Sequence, residues 1–342
     1  MRLGLVGYGT GGQHFHGPFI EAVNGIQLVG IVARAADKVA AAKADFPDVP
    51  VFESLDSMMA SVSLDAVTVT TPPHTRRELV LKAIEAGLHV VADKPFAPNA
   101  EVARELTKAA QDRGVVLSVF HNRRFDTDIV TLKKTLESGV LGQVWRFQSR
   151  FDLDDPATLE KGPEGGLLRD LGSHVVDQAI HLFGSVASVN ANLDNMELPE
   201  GTTNTSFCIT LNHKNGVHSH LSASKVNGLV AKEILVYAEN GGYHSLATDV
   251  QAQDIFAGKR PVEDLDGWGY QDEAHWALLA TPEDKRTVPS EQGRYHDYYQ
   301  QFYDAVTQGK TPPVTCEEAI EVLKVIDAVS LSAAQNQCVS ID

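Results

Sequence analysis

The sequence predicts an α/β protein: a doubly wound parallel sheet, followed by an α+β domain with a mostly antiparallel sheet. Three observations predict this fold class. Strand and helix patterns alternate through the first third of the chain, a glycine-rich turn joins the first strand to the first helix, and alternating apolar and polar residues dominate the second half. Alternating β and α segments are typical of parallel sheets. We place the domains at residues 1–121 and 122–342.

Six apolar segments of the first half are short enough to be strands, and helical patterns separate them. We predict strands at Arg2–Val6, Ile26–Val32, Val49–Phe52, Ala66–Thr71, His89–Ala92 and Val115–Phe120, and helices notably at Asp37–Asp45, Arg76–Ala86 and Ala100–Arg113. Asn99 is a suitable N-cap for the last of these helices, and Gly87 and Gly114 are suitable C-terminal stops.

The second half alternates with a period of two residues. Apolar and polar side chains alternate over residues 145–151, 207–211 and 217–223. Strands with one polar face indicate an antiparallel sheet covered by helices on one side. Helical segments are predicted at Gly172–Phe183, Tyr295–Thr307 and Cys316–Ser332.

The turn after the first strand reads Gly7-Tyr8-Gly9-Thr10-Gly11-Gly12. Gly-x-Gly-x-x-Gly between a strand and a helix is the fingerprint of a Rossmann dinucleotide-binding domain. The glycines allow a tight turn and a close approach to a pyrophosphate, and the helix N-terminus stabilises its charge. We therefore expect Gly7, Gly9, Thr10 and Gly12 to bind a dinucleotide; the alternative is an ordinary glycine-rich turn.

The end of the second strand bears on which dinucleotide is bound. NAD enzymes usually carry Asp or Glu there, whereas this chain has Ala33 and Arg34, with Lys38 one turn later. A guanidinium can contact a 2′-phosphate and stack on adenine. The sequence favours NADP(H), with NAD(H) possible as the other cofactor. The alternative is that Arg34 is a solvated residue at a helix start.

Two further segments fall at carboxyl ends of predicted strands, where ligands of such sheets bind. Thr71, Pro72 and His74 form one, and Asp93 with Lys94 forms the other; both are expected at the cofactor. The Lys94 ammonium can hydrogen-bond a substrate oxygen and stabilise developing alkoxide charge. Pro95 restricts the backbone of Lys94 to extended angles, which aims its side chain.

Asp170 and His174 are four residues apart, which places both on one helix face. A carboxylate beside an imidazole fixes its tautomer, so His174 is suited to be general base in oxidation and general acid in reduction. With Lys94 they form the predicted catalytic set. Asn122 and Arg124, after the last strand of the first domain, are expected at the substrate or cofactor.

Several histidines leave alternatives open. Asp177 and His181 extend the Asp170–His174 stripe, and a packed or solvated face is favoured there over a metal site. His16 follows the glycine loop and lines the cofactor cleft or packs the helix. His218 and His220 share a strand face, where surface or interface positions are favoured over ligation. We expect no metal site.

Composition argues against several classes of binding partner and cellular location. A net charge of -16 argues against nucleic acid and anionic membranes as partners. The three cysteines form no paired-ligand motif, which fits a reduced cytoplasmic protein without disulfides. The chain starts directly with a strand pattern, so we expect no signal peptide, and no apolar segment is long enough to span a bilayer.

Five segments together resemble the Gfo/Idh/MocA oxidoreductases over essentially the whole chain. They are Gly7-Tyr8-Gly9, Thr71-Pro72, residues 87–95 with Asp93-Lys94-Pro95, residues 122–124, and residues 165–174. Residues 15–19, 118–125 and 267–269 are most similar to the NADP-dependent scyllo-inositol dehydrogenase branch. The resemblance implies that Lys94 is catalytic, with Asp93 in place of the usual glutamate, and that Asp170 and His174 are the Asp-x-x-x-His pair.

The sequence also departs from that family. Its Thr-Pro-Asn-x-x-His motif reads Thr71-Pro72-Pro73-His74-Thr75-Arg76, so the Asn and His are lost. Between Phe151 and Gly165, in a segment expected to border the substrate, this chain has Asp152-Leu153-Asp154-Asp155-Pro156. Inositol-type relatives are longer and richer in arginine there.

The resemblance implies hydride transfer between NADP(H) and a hydroxyl-bearing carbon of a small polyhydroxylated substrate, a cyclic polyol or sugar. Two alternatives on the same fold are a cofactor-cycling glycosidase and a non-catalytic dinucleotide-binding regulator. The mixed polar face of the second sheet, with Arg146, Gln148 and Arg150, can support a sheet-on-sheet contact. We therefore expect a homodimer or homotetramer formed through that sheet.

Overall fold

A computed structural model describes residues 1–162 and 165–341. The strands are β1 (Arg2–Val6), β2 (Gln27–Val32), β3 (Val51–Phe52), β4 (Ala66–Val69), β5 (His89–Asp93), β6 (Leu117–Phe120), β7 (Val144–Asp152), β8 (Val186–Leu198), β9 (Gly201–His213), β10 (His218–Ser224), β11 (Ala231–Ala238), β12 (Gly241–Leu246), β13 (Ala277–Ala280), β14 (Lys285–Val288) and β15 (Val339–Ser340).

The α-helices lie between these strands, and two π-helical segments accompany them. The helices are α1 (Gly17–Glu21), α2 (Ala36–Asp45), α3 (Leu55–Ser61), α4 (Pro73–Glu85), α5 (Ala100–Arg113), α6 (Thr127–Glu137), α7 (Ser173–Phe183), α8 (Val250–Phe256), α9 (Tyr295–Gln308) and α10 (Cys316–Gln335). The π-helical segments Gly11–His16 and Leu168–Gly172 run directly into α1 and α7.

The chain forms two compact units, each assembled from three stretches of sequence. Unit 1 contains Met1–Asn122, Gln251–Trp268 and Arg294–Ile320. Unit 2 contains Arg123–Val250, Gly269–Gly293 and Glu321–Asp342. Each unit therefore combines a long continuous segment with shorter segments from the C-terminal part of the chain.

Unit 1 is built on a six-stranded sheet in the order β3-β2-β1-β4-β5-β6, in which every pair is parallel. β4 and β6 are buried throughout, as expected for a parallel sheet covered on both faces. Because the strands are parallel, the residues after β1, β2, β4, β5 and β6 lie along one edge, here called the carboxyl edge. The predicted doubly wound sheet is confirmed.

Helix α5 shows how local chemistry sets the ends of an element. The Asn99 side chain accepts a hydrogen bond from the Val102 N–H at 2.9 Å, which caps the first turn. Gly114 ends the helix in the left-handed region with φ of 69°, where a side chain would be strained. The helix begins and ends at the residues that the sequence predicts.

Unit 2 is built on a nine-stranded sheet in the order β14-β13-β12-β11-β7-β10-β9-β8-β15. Neighbouring strands are antiparallel except for β7 and β10, which are parallel. The predicted mostly antiparallel sheet is therefore confirmed.

One face of this sheet carries the core of unit 2. Phe147 and Phe151 of β7 are buried in a cluster with side chains from α6, α7 and the unit 2 part of α10. Arg146 and Gln148, on either side of Phe147, lie outside this core. Trp145 departs from the predicted alternation, because it is 55% exposed near the start of β7.

A buried charge cluster ties α6 to this sheet. The Lys232 ammonium lies 2.9 Å from Asp126 Oδ2 and 3.3 Å from Asp128 Oδ2. Arg123 pairs with Asp249 at 2.8 Å and with Asp126 at 3.3 Å. Burial raises the pKa of Asp128, and Lys232 opposes that rise. Burial alone would lower the pKa of Lys232, but these carboxylates raise it above its ordinary value, so this lysine is charged.

No helix within residues 1–162 and 165–341 combines the length and the apolar composition needed to cross a membrane.

Candidate functional site

The glycine loop at the carboxyl edge is shaped by close packing at its two ends. A Cβ on Gly12 would lie 2.2 Å from the Gly7 carbonyl oxygen, and a Cβ on Gly7 would lie 2.7 Å from Thr70 Oγ1. Gly7 also has φ of 105°, which favours glycine. The first and third glycines are therefore required by the turn and by the close approach of the helix.

Gly9 is different, because packing within the chain does not explain it. A Cβ there would meet no atom of the described residues within 4 Å, its own chain neighbours aside. Thr10 follows as the N-cap of a continuous helical segment from Gly11 to Glu21. A glycine facing open space beside a helix N-terminus fits the pyrophosphate of a dinucleotide. Gly9, Thr10 and Gly11 would hold that group.

Arg34 and Lys38 lie beyond the end of β2 on the same edge. Arg34 is exposed, and the Lys38 ammonium lies 3.5 Å from Asp37 in an exposed pair. Asp45, which ends α2, accepts hydrogen bonds from the Tyr8 hydroxyl at 2.8 Å and from Gln13 at 3.1 Å. Both cations are exposed near the end of β2.

Arg76 connects the loops that follow β4 and β5. Its guanidinium is buried and donates to the Thr71 carbonyl at 2.8 Å and to the Pro95 carbonyl. Thr70 Oγ1 donates to the Gly7 carbonyl at 3.1 Å, which joins the glycine loop to the same assembly. These bonds hold Thr71, Pro72 and the Asp93–Lys94 segment together at the carboxyl edge.

Lys94 follows β5 directly, and Asp93 fixes its backbone. The Lys94 N–H donates to Asp93 Oδ1 at 2.8 Å, and the peptide bond to Pro95 is cis. The other carboxylate oxygen of Asp93 lies 3.5 Å from His16 Nε2. Asp93 is thus held between a backbone donor on one side and an imidazole on the other.

His16 is fully buried and continues this chain of contacts into the interior of unit 1. Its Nδ1 lies 2.5 Å from the Tyr299 hydroxyl, which in turn lies 3.3 Å from Thr68 Oγ1. The imidazole packs on Phe120 with ring centroids 3.9 Å apart. These contacts favour the alternative in which His16 packs inside unit 1. They also link His16 to Asp93.

This environment determines the charge of Asp93. Burial alone would raise the pKa of its carboxyl group, but His16, Arg76 and Lys94 lower that pKa to about 2. Asp93 is therefore an anion at neutral pH. Burial also raises the pKa of Tyr299 well above its ordinary value, so its hydroxyl keeps its proton.

In unit 2, Asp170 lies in the π-helical segment Leu168–Gly172 and His174 in the first turn of α7. π-Helical turns are rare and frequently occur at functional sites. The His174 side chain is buried, whereas Asp170 is partly exposed. Asp170 Oδ2 accepts a hydrogen bond from the Lys225 ammonium at 2.7 Å.

The next turn of α7 is held by a buried ion pair. Arg124 donates to both carboxylate oxygens of Asp177, at 2.9 Å through Nε and at 2.7 Å through Nη2. The Gln178 amide donates to the Arg123 carbonyl at 3.0 Å. Asp177 thus supports the packed-face interpretation, since it anchors α7 to the turn Asn122–Phe125.

Both halves of the chain match a known family. Residues 1–121 match the Gfo/Idh/MocA oxidoreductase family with an NAD-binding Rossmann fold, and residues 133–341 match the C-terminal α/β domain of the same family. The chain belongs to the Gfo/Idh/MocA oxidoreductase family. It is therefore an oxidoreductase with an NAD-binding Rossmann fold.

Relatives of this Gfo/Idh/MocA protein cover nearly its whole length. The scyllo-inositol 2-dehydrogenase (NADP(+)) IolW of Bacillus subtilis is 31% identical, covering 100% of this chain and 96% of IolW. The oxidoreductase YdgJ of Escherichia coli is 35% identical, covering 96% of this chain and 94% of YdgJ. The solved structure of the Bacillus subtilis oxidoreductase YvaA has a TM-score of 0.90 at 31% identity, with both chains fully covered.

The structure places the predicted site residues of this Gfo/Idh/MocA protein in two groups. In unit 1, the carboxyl edge brings together the glycine loop, Thr71, Pro72, Asp93 and Lys94, and His74 lies in the first turn of α4. Asn122, also in unit 1, is buried. In unit 2, Asp170 and His174 lie in consecutive turns.

Two residues of these groups, Arg76 and Lys225, were not among the predicted site residues. Arg76 stands at the position where the family motif has its histidine. This position could have marked Arg76 as a residue of the site. Lys225 had no local signal, because its partner Asp170 is 55 residues away.

The open face of the second sheet carries polar side chains that contact one another. The Arg146 guanidinium lies over the Tyr237 ring at 4.1 Å, and His244 lies 2.9 Å from Glu233. His220 lies 3.2 Å from Thr210 Oγ1. These contacts fit the expected surface or interface positions better than ligation.

Proposed function

We propose that this protein transfers a hydride between NADP(H) and a hydroxyl-bearing carbon of a cyclic polyol or sugar. The observation that carries the proposal is the position of Lys94 beside the anionic Asp93, on the same sheet edge as the glycine loop. When bound, the nicotinamide ring supplies or accepts the hydride. Residues 1–121 serve as the dinucleotide-binding domain and residues 122–342 as the substrate-binding and oligomerisation domain.

Cofactor choice follows from charge at the end of β2. Arg34 and Lys38 provide two cations for a 2′-phosphate, and Ala33 leaves no carboxylate for the ribose hydroxyls. A guanidinium can bind phosphate through two parallel hydrogen bonds. These residues favour NADP(H) over NAD(H), whereas Gly7, Gly9, Thr10 and Gly12 serve either dinucleotide. Thr71, Pro72 and His74 border the same edge and contact the cofactor.

Lys94 acts on the reacting oxygen. Its ammonium donates a hydrogen bond to the substrate hydroxyl or carbonyl and stabilises the negative charge that develops in the transition state. Asp93 holds the Lys94 backbone through the 2.8 Å bond and places a negative charge beside this lysine. His16 and Arg76 hold Asp93 and the following loop in turn.

His174 moves the hydroxyl proton. As a base it accepts this proton during oxidation, and as an acid it returns the proton during reduction. Asp170 orients the imidazole. Asn122 supplies a further hydrogen bond that selects which hydroxyl reacts. Together Lys94, Asp170 and His174 form the catalytic set.

The substrate class follows from relatives and from local charge. The relative IolW is named for scyllo-inositol, a cyclic polyol. Asp154 and Asp155 place carboxylates in the segment expected to border the substrate, where a phosphate would be repelled. Asp152 is buried and pairs with Arg150 at 2.6 Å. A neutral polyhydroxylated ring therefore fits better than a sugar phosphate.

The open face of the second sheet provides the subunit contact. It combines polar residues such as Arg146 and His220 with the exposed Tyr237. Such a surface can form a polar sheet-on-sheet interface, giving a dimer or a dimer of dimers. Light scattering at micromolar concentration tests this assembly, and a monomer would contradict it.

A substrate panel tests the proposed activity. The purified protein is incubated with NADP+ or NAD+ and with neutral cyclic polyols, neutral sugars and sugar phosphates, while the reduced nicotinamide is followed by absorbance. We expect turnover with NADP+ and a neutral polyol or sugar. Failure of every substrate to reduce either cofactor would contradict the proposal, and a higher kcat/KM for a sugar phosphate would contradict the substrate class.

The same preparation separates the dehydrogenase from the other activities of this fold. Release of the aglycone from an aryl glycoside without net change of cofactor would indicate a glycosidase. Dinucleotide binding in calorimetry without turnover of any substrate would indicate a regulator.

A further inference from the structure

Lys225 is a buried lysine that follows β10 in unit 2. Its side chain is 5% exposed, and its ammonium donates to Asp170 Oδ2 at 2.7 Å and to the Thr158 carbonyl at 3.3 Å. Burying an ammonium group is costly unless it is paired and hydrogen-bonded. Here the pairing carboxylate belongs to the predicted catalytic set.

The backbone of Lys225 is fixed as well. Its N–H donates to the Thr205 carbonyl at 3.2 Å, and its carbonyl accepts from the Asp155 N–H at 3.1 Å. The neighbouring Ser224 carbonyl accepts from the Leu153 N–H at 2.7 Å. The residue that carries the ammonium is therefore anchored to β9 and to the segment that follows β7, so the ammonium can impose a position on Asp170.

Asp170 needs such a partner more than an ordinary surface carboxylate does. It lies in a π-helical segment, and its own carbonyl accepts from Ser173 Oγ at 2.9 Å. Its side chain is 18% exposed, so water screens its charge only in part. A charge-assisted bond to a buried ammonium holds a carboxylate more firmly than a bond to water does.

We infer that Lys225 is a positioning residue of the proposed reaction: it holds the Asp170 carboxylate in place, and through Asp170 it sets the orientation of the His174 imidazole. The inference rests on the proposed function. The same ammonium joins the Thr158 carbonyl to Asp170, so the segment expected to border the substrate and the carboxylate that orients the base share one anchor.

The test compares Lys225→Met, Lys225→Arg, Asp170→Asn and the double variant Lys225→Met with Asp170→Asn. Lys225→Met is expected to lower kcat by about 10- to 100-fold, by analogy with the loss seen when an outer partner of a metal-binding histidine is removed. Binding of NADPH, measured by calorimetry, stays unchanged because the dinucleotide residues lie in unit 1. Lys225→Arg keeps the charge and a donor, and it is expected to restore most of kcat.

The double variant distinguishes an effect of Lys225 on Asp170 from a nonspecific effect on the folded structure. If Lys225 acts through Asp170, adding Lys225→Met to Asp170→Asn lowers kcat no further than Asp170→Asn alone. Lys232→Met is the matched control, since Lys232 is also a buried lysine of unit 2 that pairs with aspartates. Any effect of Lys232→Met is expected to multiply with that of Asp170→Asn.

Three results would overturn the inference while the wild type is active. The first is a wild-type kcat in Lys225→Met. The second is an equal loss of kcat in Lys225→Arg and Lys225→Met. The third is that adding Lys225→Met to Asp170→Asn lowers kcat by the same factor as Lys225→Met alone. If Lys225→Met does not fold, Lys225→Gln takes its place in all three comparisons, because it keeps a hydrogen-bond donor without the charge. An inactive wild type would instead overturn the proposed function, and the inference with it.

Discussion

Replacing Asp93 by Asn should destabilise the protein in a pH-dependent way. The folded-state pKa of Asp93 is about 2, against an ordinary value of 3.8. Each unit of pKa difference corresponds to about 1.4 kcal/mol, so the ionised carboxylate contributes about 2 kcal/mol to the free energy of unfolding. Because the folded-state pKa is lowered, this stability is present above about pH 4 and is lost as the pH falls towards 2.

The assay is thermal unfolding of wild type, Asp93→Asn and Asp93→Glu at pH 7 and at pH 3. At pH 7 the Asn variant should unfold about 4–8 °C below wild type, the shift that about 2 kcal/mol causes in a domain of this size. At pH 3 the gap should narrow. Asp93→Glu is the matched control, because it keeps the charge and should recover most of the loss.

The catalytic activity should also depend on the charge of Asp93. Asn can still accept the Lys94 N–H, but it removes the charge that faces His16 and Lys94. We therefore expect a lower kcat in Asp93→Asn and a kcat nearer wild type in Asp93→Glu. Equal unfolding temperatures for wild type and Asn at pH 7, or a gap of the same size at pH 3, would refute the reasoning.

Three further predictions concern other sites. Lys94→Ala and His174→Ala should each lower turnover about 100-fold or more while dinucleotide binding survives, since both residues act on the substrate oxygen; near-normal turnover in Lys94→Ala would contradict its role. Arg34→Asp should weaken NADP(H) binding by about 1–3 kcal/mol in calorimetry and spare NAD(H), and equal binding of both dinucleotides by wild type would exclude the proposed preference. Burial lowers the pKa of His296, so the folded state favours its neutral form and stability should fall as the pH drops below about 6.5. His296→Gln should therefore lose less thermal stability than wild type between pH 7.5 and pH 5. The control is His218→Gln, which removes an exposed histidine and should lose as much thermal stability as wild type.

The parts of the fold that the sequence predicts well depend on local chemistry. Helix α5 has its capping Asn99, its stop at Gly114 and a regular apolar face, all readable within a few residues. The glycine loop is local where Gly12 approaches the Gly7 carbonyl, although Gly7 also packs against Thr70 at the end of a neighbouring strand. The sequence therefore predicted the Rossmann fold together with the fingerprint that carries it.

What the sequence could not predict depends on distant partners. The parallel pairing of β7 with β10 joins strands about 70 residues apart in an otherwise antiparallel sheet. The packing of His16 was left open because Tyr299 is 283 residues away, and the role of Lys225 was missed because Asp170 belongs to another element. Neither contact leaves a periodic or spacing signal in the chain.

The central claim is direct hydride transfer from a carbinol carbon. Its most direct test is oxidation of an active polyol or sugar deuterated at the reacting carbon, with mass spectrometry of the NADPH recovered. The proposal predicts one deuterium on the nicotinamide ring for each product molecule formed. NADPH without deuterium, or product formed without any NADPH, would contradict it.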